Sequence, residues 1–280
     1  MTEKTFYIEI FQPYAQYRNP FTFYYAQSFP LPLKSTVIGM LQNATNRFYD
    51  EEFWKLRLSI HGGFESVYWN YQQLIKGYPK IEIKENKLLV VNQGLPLYNE
   101  GKKAQRTPVH QQELFNGHLY IFTRGKEDLI EEIYSALEKP KKVLSLGRSE
   151  DIVFVRSLML FDEKDNRIKH AKSEKSLWLT FPTYIKKEIK LNGNVRRIFP
   201  IKTHKYPVYS IPVFVAFYNN DTPIRNKAEI KKDKTERKVE FQTVIYTGFD
   251  YVIRLLEPVS YEEVTIDDKK FRLIEDFGWL

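Results

Sequence analysis

The spacing of apolar residues predicts alternating strands and helices over the first part of the chain. Residues 5–11 (TFYIEIF) alternate between apolar and polar side chains, which indicates a strand. At Lys34 the spacing changes, because apolar side chains then recur every three or four residues and predict a first helix. A second helix is predicted over residues 126–139 (KEDLIEEIYSALEK), whose leucines and isoleucines share one face and which Pro140 follows.

Three further strands complete this pattern. Alternation over residues 56–60 predicts the second strand, HLYIF at 118–122 the third and IVFVRSLML at 152–160 the fourth. The order is then β-α-β-β-α-β, with an insertion between the second and third strands. That order is typical of the ferredoxin-like split βαβ unit, in which two helices pack against a four-stranded antiparallel sheet. We therefore predict an α+β fold with a ferredoxin-like domain over residues 5–160.

The insertion and the C-terminal part do not follow this order of strands and helices. At about residues 72–112, KIEIKENKLLVV predicts two short strands about a Glu-Asn turn, so the insertion is expected to form a β-hairpin thumb. Residues 161–280 hold β-branched and aromatic runs such as YPVYSIPVFVAFY and no long amphipathic helix, which predicts a smaller, β-rich C-terminal lobe. Within it, the basic residues 185–205 are expected to form a hairpin about Asn192-Gly193.

Composition narrows the class of function. The chain has 280 residues, no cysteine and a formal net charge of +8. The lack of cysteine excludes disulfides and thiolate-held metal sites, and the five histidines show no metal-ligand spacing, so we expect no cofactor. No membrane span or leader peptide is recognisable, which predicts a cytoplasmic protein without a membrane partner. The basic charge and the 15% aromatic content favour single-stranded nucleic acid as a ligand.

The segment LSLGRSED at residues 144–151 is the first candidate site. Gly147 can adopt backbone angles that other residues resist, and Ser149 can hydrogen-bond the local backbone, so the segment could be only a turn. The alternative is an anion site, in which exposed amides and Arg148 hold a phosphate group. Gly147, Arg148 and Ser149 are accordingly candidate RNA contacts.

The loop YAQYRNP at residues 14–20 is the second candidate. It places Arg18 between aromatic residues, ahead of the first helix. Arg18 would bind phosphate while Tyr17 stacks on a base. The alternative is an ordinary surface loop without a ligand.

The predicted start of the first helix is the third candidate. In SFPLPLKSTVIGML, two prolines precede Lys34, Ser35 and Thr36, which lie where free helix amides point outward. Such amides suit an anion, so all three residues are candidate RNA contacts. The alternative is an ordinary helix cap, in which Ser35 or Thr36 satisfies the first amides.

The segment KAQRTPVHQQ at the end of the insertion allows three interpretations. It is a solvated loop, or Gln105 and Arg106 contact the sugar and phosphate of RNA. The third alternative is catalysis, because RNA cleavage without a metal needs a base, an acid and a cation on the phosphate. The residues with this chemistry are Tyr98, Lys103 and His110.

Taken in order, these motifs resemble the CRISPR-associated protein family five (Cas-five), a subunit of type I Cascade surveillance complexes. YAQYRNP, FPLPLKSTVIGML, QRTPVHQQELFNGHLYIF and above all LGRSEDIV carry the resemblance, over about residues 5–160. The group indicated is a subtype I-B-like one. The resemblance implies a RAMP (RRM-like) RNA-binding domain with a thumb hairpin and a glycine-containing loop before the last strand.

The resemblance also implies a function. The chain would hold the 5′ handle of CRISPR RNA and cap the backbone filament of family-seven subunits in antiviral defence. The large family-eight subunit would dock nearby, and the assembled complex would bind target DNA. Under this hypothesis the chain is not an enzyme. One alternative is a metal-independent endoribonuclease that processes precursor CRISPR RNA, as family members in one type I subtype do, and another is a free-standing RNA-binding domain.

Overall fold

A computed structural model of the chain describes residues 3–76, 81–84, 87–90, 105–162, 165–191, 195–202, 205–226, 229–230, 235–248 and 250–280. The first elements are β1 (Glu3–Ala15), β2 (Tyr25–Ala26), α1 (Lys34–Thr45), a 3-10 helix (Glu51–Lys55), β3 (Arg57–Lys76), β4 (Ile81–Lys84), β5 (Lys87–Val90), β6 (Gln105–Lys126), α2 (Glu127–Glu138) and β7 (Phe154–Phe161). The later strands are β8 (Ile168–Ser173), β9 (Ser176–Trp178), β10 (Tyr184–Lys186), β11 (Glu188–Leu191), β12 (Val195–Ile198), β13 (Val208–Asn219), β14 (Thr222–Pro223), β15 (Thr235–Tyr246), β16 (Val252–Arg254), β17 (Val259–Ile266) and β18 (Lys269–Ile274).

A five-stranded sheet is built on β1. This strand pairs antiparallel with β6 on one side and with β7 on the other, so that Ile8 lies between Ile121 and Leu158. β3 also pairs with β6, and the short β2 pairs in parallel with β6 at Tyr25 and His110. The long strands therefore have the order β3-β6-β1-β7.

Both helices cover one face of this sheet. Phe6, Ile8 and Ile10 alternate along β1 and are fully buried on that face. The helix residues buried in the same apolar cluster are Val37, Ile38, Leu41, Ile130 and Ile133. Each such side chain contributes about 1.5–3 kcal/mol when it leaves water. The strand alternation and the helical spacing seen in the sequence are thus confirmed as the pattern of the core.

Strands from the C-terminal residues cover part of the opposite face. The Tyr7 ring of β1 lies there, with its centroid 5.2 Å from Phe122 and 5.8 Å from Phe271 of β18. The Arg124 guanidinium of β6 donates two hydrogen bonds to the Glu262 carboxylate of β17, at 3.1 and 2.6 Å. Aromatic packing and a shielded ion pair therefore join the C-terminal strands to the sheet.

The C-terminal residues form further small sheets. β13 and β15 pair along their length within the order β10-β15-β13-β14, and β8 and β18 flank β17. β11 and β12 form the predicted hairpin, with Lys190 opposite Arg196. No α-helix occurs among the residues described after β7. The chain as described is a mixed α+β protein in which strands predominate.

The chain divides into two compact units. The core unit comprises residues 1–17, 29–66 and 114–280, and the insert unit comprises residues 18–28 and 67–113. Most of the predicted thumb falls in the insert unit, where β4 and β5 pair as the expected antiparallel hairpin. Residues 161–280 belong to the core unit together with the five-stranded sheet, so the predicted domain boundary after residue 160 does not separate compact units.

Arg124→Ala is expected to destabilise the core unit by about 3 kcal/mol, because it leaves the shielded Glu262 carboxylate without its partner. Urea unfolding followed by circular dichroism measures this change. Arg57→Ala is the control, since Arg57 and Glu3 form an ion pair with both side chains about half exposed, and such pairs contribute about 0–1 kcal/mol. Equal losses of stability in the two variants would contradict the role given to the Arg124–Glu262 pair.

Candidate nucleic-acid interface

The loop between α2 and β7 is a closed turn around Gly147. The Leu146 amide donates to the Asp151 carbonyl oxygen (2.9 Å), and the Val153 amide donates to the Leu144 carbonyl oxygen (3.0 Å). Gly147 has a φ of +119°, and a Cβ at this position would lie 2.7 Å from Asp151 Oδ2. Glycine is the residue that fits here without strain. The turn, one of the two interpretations of residues 144–151, is therefore present.

The Asp151 carboxylate anchors this loop. Asp151 is 1% exposed, and its Oδ2 accepts hydrogen bonds from the backbone amides of Gln16 (3.0 Å) and Arg148 (2.9 Å). The Arg148 guanidinium donates to Asp151 Oδ1 (2.7 Å) and lies 3.3 Å from Glu150. Because these carboxylates compensate its charge, the structure argues against the predicted grip of Arg148 on phosphate. Ser149 is exposed and donates to Glu150, and its contact with RNA stays a prediction.

Tyr17 belongs to the same buried network. Its ring is 2% exposed, and its hydroxyl donates to Gln12 Oε1 (2.5 Å). Gln12 Nε2 in turn donates to the Leu146 carbonyl oxygen (2.7 Å). Burial, with the nearby Asp151 charge, raises the pKa of Tyr17 well above its ordinary value, so the hydroxyl remains a donor. The prediction that Tyr17 stacks on a base is wrong, because its faces are inside the core.

Lys34 is also buried and bonded within the protein. It is 7% exposed, and its Nζ donates to the Leu280 carbonyl oxygen (3.1 Å). Burial, assisted by the charge of Lys186, lowers the pKa of Lys34 to about 8. The prediction of Lys34 as an RNA contact is therefore wrong. Helix α1 begins at this residue, and its N-cap, Leu33, makes no side-chain cap hydrogen bond, so the predicted capping by Ser35 or Thr36 is wrong as well.

Ser35 and Thr36 instead line a cavity that reaches the glycine loop. This cavity has a volume of about 450 Å³, and Gly147 and Arg237 of β15 also line it. Arg237 is exposed and forms no ion pair with any residue that the structure describes. The structure thus brings together three predicted site residues and adds a cation that the sequence analysis missed. Whether Ser35, Thr36 and Gly147 contact RNA stays a prediction.

Arg18 lies in the insert unit on an exposed, closed loop. A backbone bridge joins Arg18 to Ser28, and the Asn19 amide donates to the Gln27 carbonyl oxygen (2.8 Å). The Arg18 guanidinium lies 5.9 Å from the centroid of the Phe23 ring. Within the described part of the chain it forms no ion pair with a carboxylate, so its charge is available to an anion. The predicted phosphate contact of Arg18 remains open.

An exposed aromatic cluster is the main feature of the insert unit. Tyr25 stacks on His110 with a centroid distance of 5.2 Å and an angle of 8°. Trp69 meets Tyr25 edge-on at 6.1 Å, and Tyr71 lies 5.4 Å from His110. The residues Tyr25, Trp69 and Tyr71 are between 49% and 64% exposed. We call these four residues the insert aromatic cluster, and it offers ring faces on which unpaired bases can stack.

Sequence reasoning missed most of this cluster. Trp69 and Tyr71 lie two residues apart on β3, so alternation in SVYWNY could have indicated that they share a face. Tyr25 meets His110 only because β2 and β6 pair in parallel across a long sequence separation, which no local pattern reveals.

Several predicted residues either fall outside the described residues or have side chains that are not described. Tyr98 and Lys103 fall outside the described residues. Gln105 and Arg106 begin β6, but their side chains are not described. Of the suggested catalytic set, only His110 can be located, and its ring lies in the insert aromatic cluster. The convergence of Tyr98, Lys103 and His110 is therefore untested.

The described part of the chain shows neither a metal-binding cluster nor a membrane-spanning helix. Among the described residues, no three His, Asp or Glu side chains are grouped so that they could hold a metal ion. Nor does that part of the chain contain a helix long and apolar enough to cross a membrane. The described residues do contain the anchored glycine loop, the cavity beside it and the insert aromatic cluster.

Comparison with known protein families gives a match over most of the chain. The sequence profile Cas_Cas5d, described as CRISPR-associated protein (Cas_Cas5), matches residues 5–245. The chain belongs to the Cas5 family. The expectation of a Cas-five protein is therefore confirmed, whereas the narrower subtype I-B-like group is not, because the matching profile is that of Cas5d.

Solved structures similar to this Cas5 chain are distant in sequence. The "Crystal structure of Cas protein" has 17% identity and a TM-score of 0.32, over 53% of this chain and 58% of that chain. A chain of the "CRISPR RNA-guided surveillance complex" has 12% identity and a TM-score of 0.48, over 90% of each chain. A CRISPR protein from Archaeoglobus fulgidus has 11% identity and a TM-score of 0.38, over 96% of this chain and 98% of that chain. A search of curated proteins finds no match.

Asp151→Asn is expected to loosen the glycine loop of this Cas5 chain. The neutral side chain loses the charge-assisted bonds from Gln16 and Arg148, which predicts a loss of about 1.5–3 kcal/mol in the free energy of unfolding. Urea unfolding measures the loss, and hydrogen exchange should accelerate at the Arg148 amide. Asp268→Asn, at an exposed position, is the matched control. Unchanged exchange at Arg148 would show that Asp151 does not anchor the loop.

Proposed function

We propose that this Cas5 chain is a CRISPR RNA-binding subunit of a Cascade surveillance complex in antiviral defence. Its specific role is to hold the 5′ handle of the CRISPR RNA and to cap the backbone filament. The observation that carries this proposal is the exposed insert aromatic cluster, on a chain that belongs to the Cas5 family and has a net charge of +8.

The chemistry of the insert unit supports RNA as the ligand. Single-stranded RNA is bound by stacking unpaired bases on aromatic side chains and by pairing phosphates with cations. The rings of Tyr25, Trp69 and Tyr71 expose their surfaces to solvent, and Arg18 of the same unit has no carboxylate partner among the described residues. In contrast, Tyr17, Lys34 and Arg148 are occupied by internal bonds. RNA binding is therefore assigned first to the insert unit.

The finer parts of the proposal rest on family resemblance. The expected partners are the family-seven backbone subunit, the large family-eight subunit and target DNA through the assembled complex. The strand order β3-β6-β1-β7, with both helices on one face, supports the ferredoxin-like interpretation of the N-terminal sheet. A subtype I-B-like system remains the predicted context.

Tyr25→Ala and Trp69→Ala are each expected to weaken binding of handle-bearing CRISPR RNA by about 1–3 kcal/mol, because each removes one stacking surface. Fluorescence anisotropy with labelled RNA measures the affinity, and size-exclusion chromatography with the backbone subunit measures assembly. Trp178→Ala is the matched control, since Trp178 is 61% exposed in the core unit. Arg18→Ala and Arg106→Ala should also weaken binding, through lost phosphate contacts. Wild-type affinity in all four test variants would remove the insert unit from the RNA-binding surface.

A second candidate function is cleavage of precursor CRISPR RNA. The observation that favours it is the position of His110 within the insert aromatic cluster, where an imidazole would meet bound RNA. We nevertheless propose a non-catalytic subunit, as the resemblance to the thumb-bearing, non-catalytic members of the family suggests.

The two functions are separated by incubating the chain with precursor CRISPR RNA in EDTA. We predict that no site-specific cleavage occurs. Cleavage that persists in His170→Ala, an exposed histidine of β8, but disappears in His110→Ala would establish the endoribonuclease instead.

A further inference from the structure

A row of three rings crosses the central strands of the core unit. Phe11 of β1 is the register partner of His118 on β6 and of Phe154 on β7. The centroid of the Phe11 ring lies 5.4 Å from the centroid of the His118 ring and 6.2 Å from that of the Phe154 ring. The Arg156 guanidinium lies over the Phe11 ring at 5.2 Å. We call these four residues the aromatic rung.

The aromatic rung is open because the C-terminal strands stop short of it. Tyr7, Glu9 and Phe11 alternate with the helix-facing residues of β1, and Tyr7 on this second face is buried by Phe271 of β18. Two residues further along β1, Glu9 pairs with Lys269 (3.0 Å), the first residue of β18. At the next position on this face, Phe11, the cover has ended, and Phe154 is 50% exposed.

The charges around the rung favour an anionic ligand. Arg156 is exposed and forms no ion pair with any residue that the structure describes. The carboxylate of Glu9 is already paired with Lys269, so it does not neutralise Arg156. A phosphate group beside the rings would therefore meet an uncompensated guanidinium.

The residues in and around the aromatic rung favour nucleic acid over a protein as its ligand. A protein interface has a core of contiguous apolar surface, but the neighbours of the rung on β1 and β7 are the polar Glu9 and Ser157, and Tyr120, the neighbour on β6, is buried. Exposed rings beside a free arginine match what unpaired nucleotides need, namely a surface for the base and a cation for the phosphate. Aromatic residues on the central strands of a sheet are suited to this task, because neighbouring strands present neighbouring rings.

We propose that the aromatic rung binds unpaired bases of a single-stranded nucleic acid. Phe154 and His118 supply exposed ring surfaces on either side of Phe11, and Arg156 binds phosphate. The site lies in the core unit, whereas the handle is assigned to the insert unit, so this inference goes beyond the proposed function.

The test measures binding of fluorescein-labelled oligouridylate and oligothymidylate of about ten nucleotides to the full chain. Phe154→Ala and Arg156→Ala are each expected to reduce affinity about fivefold or more, which is the loss of one stacked base or one phosphate contact. Loss for oligouridylate alone assigns the site to RNA, and loss for both oligonucleotides assigns it to either nucleic acid. Tyr251→Ala and Arg254→Ala are the matched controls, both exposed in the core unit.

Two further variants separate stacking from packing at Phe154. Phe154→Trp keeps a ring and should retain the affinity, whereas Phe154→Leu keeps apolar volume and should lose it. Thermal unfolding checks that the variants remain folded, and Arg156→Ala tests the site without changing any ring. Ultraviolet crosslinking to bound oligouridylate should label Phe11, His118 or Phe154. Equal affinities of the Trp and Leu variants, or unchanged binding in both Phe154→Ala and Arg156→Ala, would overturn the proposal.

Discussion

The buried carboxylate of Asp151 holds the glycine loop and the end of β1 together. Asp151 is withdrawn from water and accepts hydrogen bonds from Gln16, which follows β1, and from Arg148 within the glycine loop. A buried carboxylate is tolerated only where such donors compensate it, so the loop, the end of β1 and the guanidinium must stay together. Gly147 is needed because any side chain there would enter the space of this carboxylate. The first role of the LGRSED motif is therefore structural: its buried carboxylate holds the glycine loop against the end of β1.

Internal hydrogen bonds occupy several of the side chains that were predicted to bind RNA. Residues that appeared suited to RNA in the sequence, Arg148, Tyr17 and Lys34, use their polar groups inside the protein. The exposed cations and rings lie elsewhere: Arg18 and the insert aromatic cluster in one unit, and the aromatic rung in the other. A surface that combines stacking rings with uncompensated guanidinium groups suits unpaired nucleotides better than a helical duplex, because bases in a duplex do not expose their faces.

Local patterns in the sequence predicted the elements of the core but few of the contacts. The alternation of β1 and the spacing of both helices depend on neighbouring residues, and those elements form where expected. Lys34 is buried because its partner is Leu280, and Tyr25 belongs to a cluster because its strand pairs with His110; neither partner is near in sequence. The Arg148–Asp151 pair spans only three residues, yet Arg148 was predicted to hold phosphate and the pair was not predicted. Predicted sites failed where the fold gave a polar side chain an internal partner.

Under the proposed function, the insert aromatic cluster and Arg18 contact the handle of the guide RNA. The most direct measurement is photocrosslinking within the assembled complex, with 4-thiouridine at successive handle positions and mass spectrometry of the crosslinked peptides. We expect crosslinks to peptides from residues 18–28 and 67–73. Crosslinks confined to the C-terminal strands β13 and β15 would contradict it.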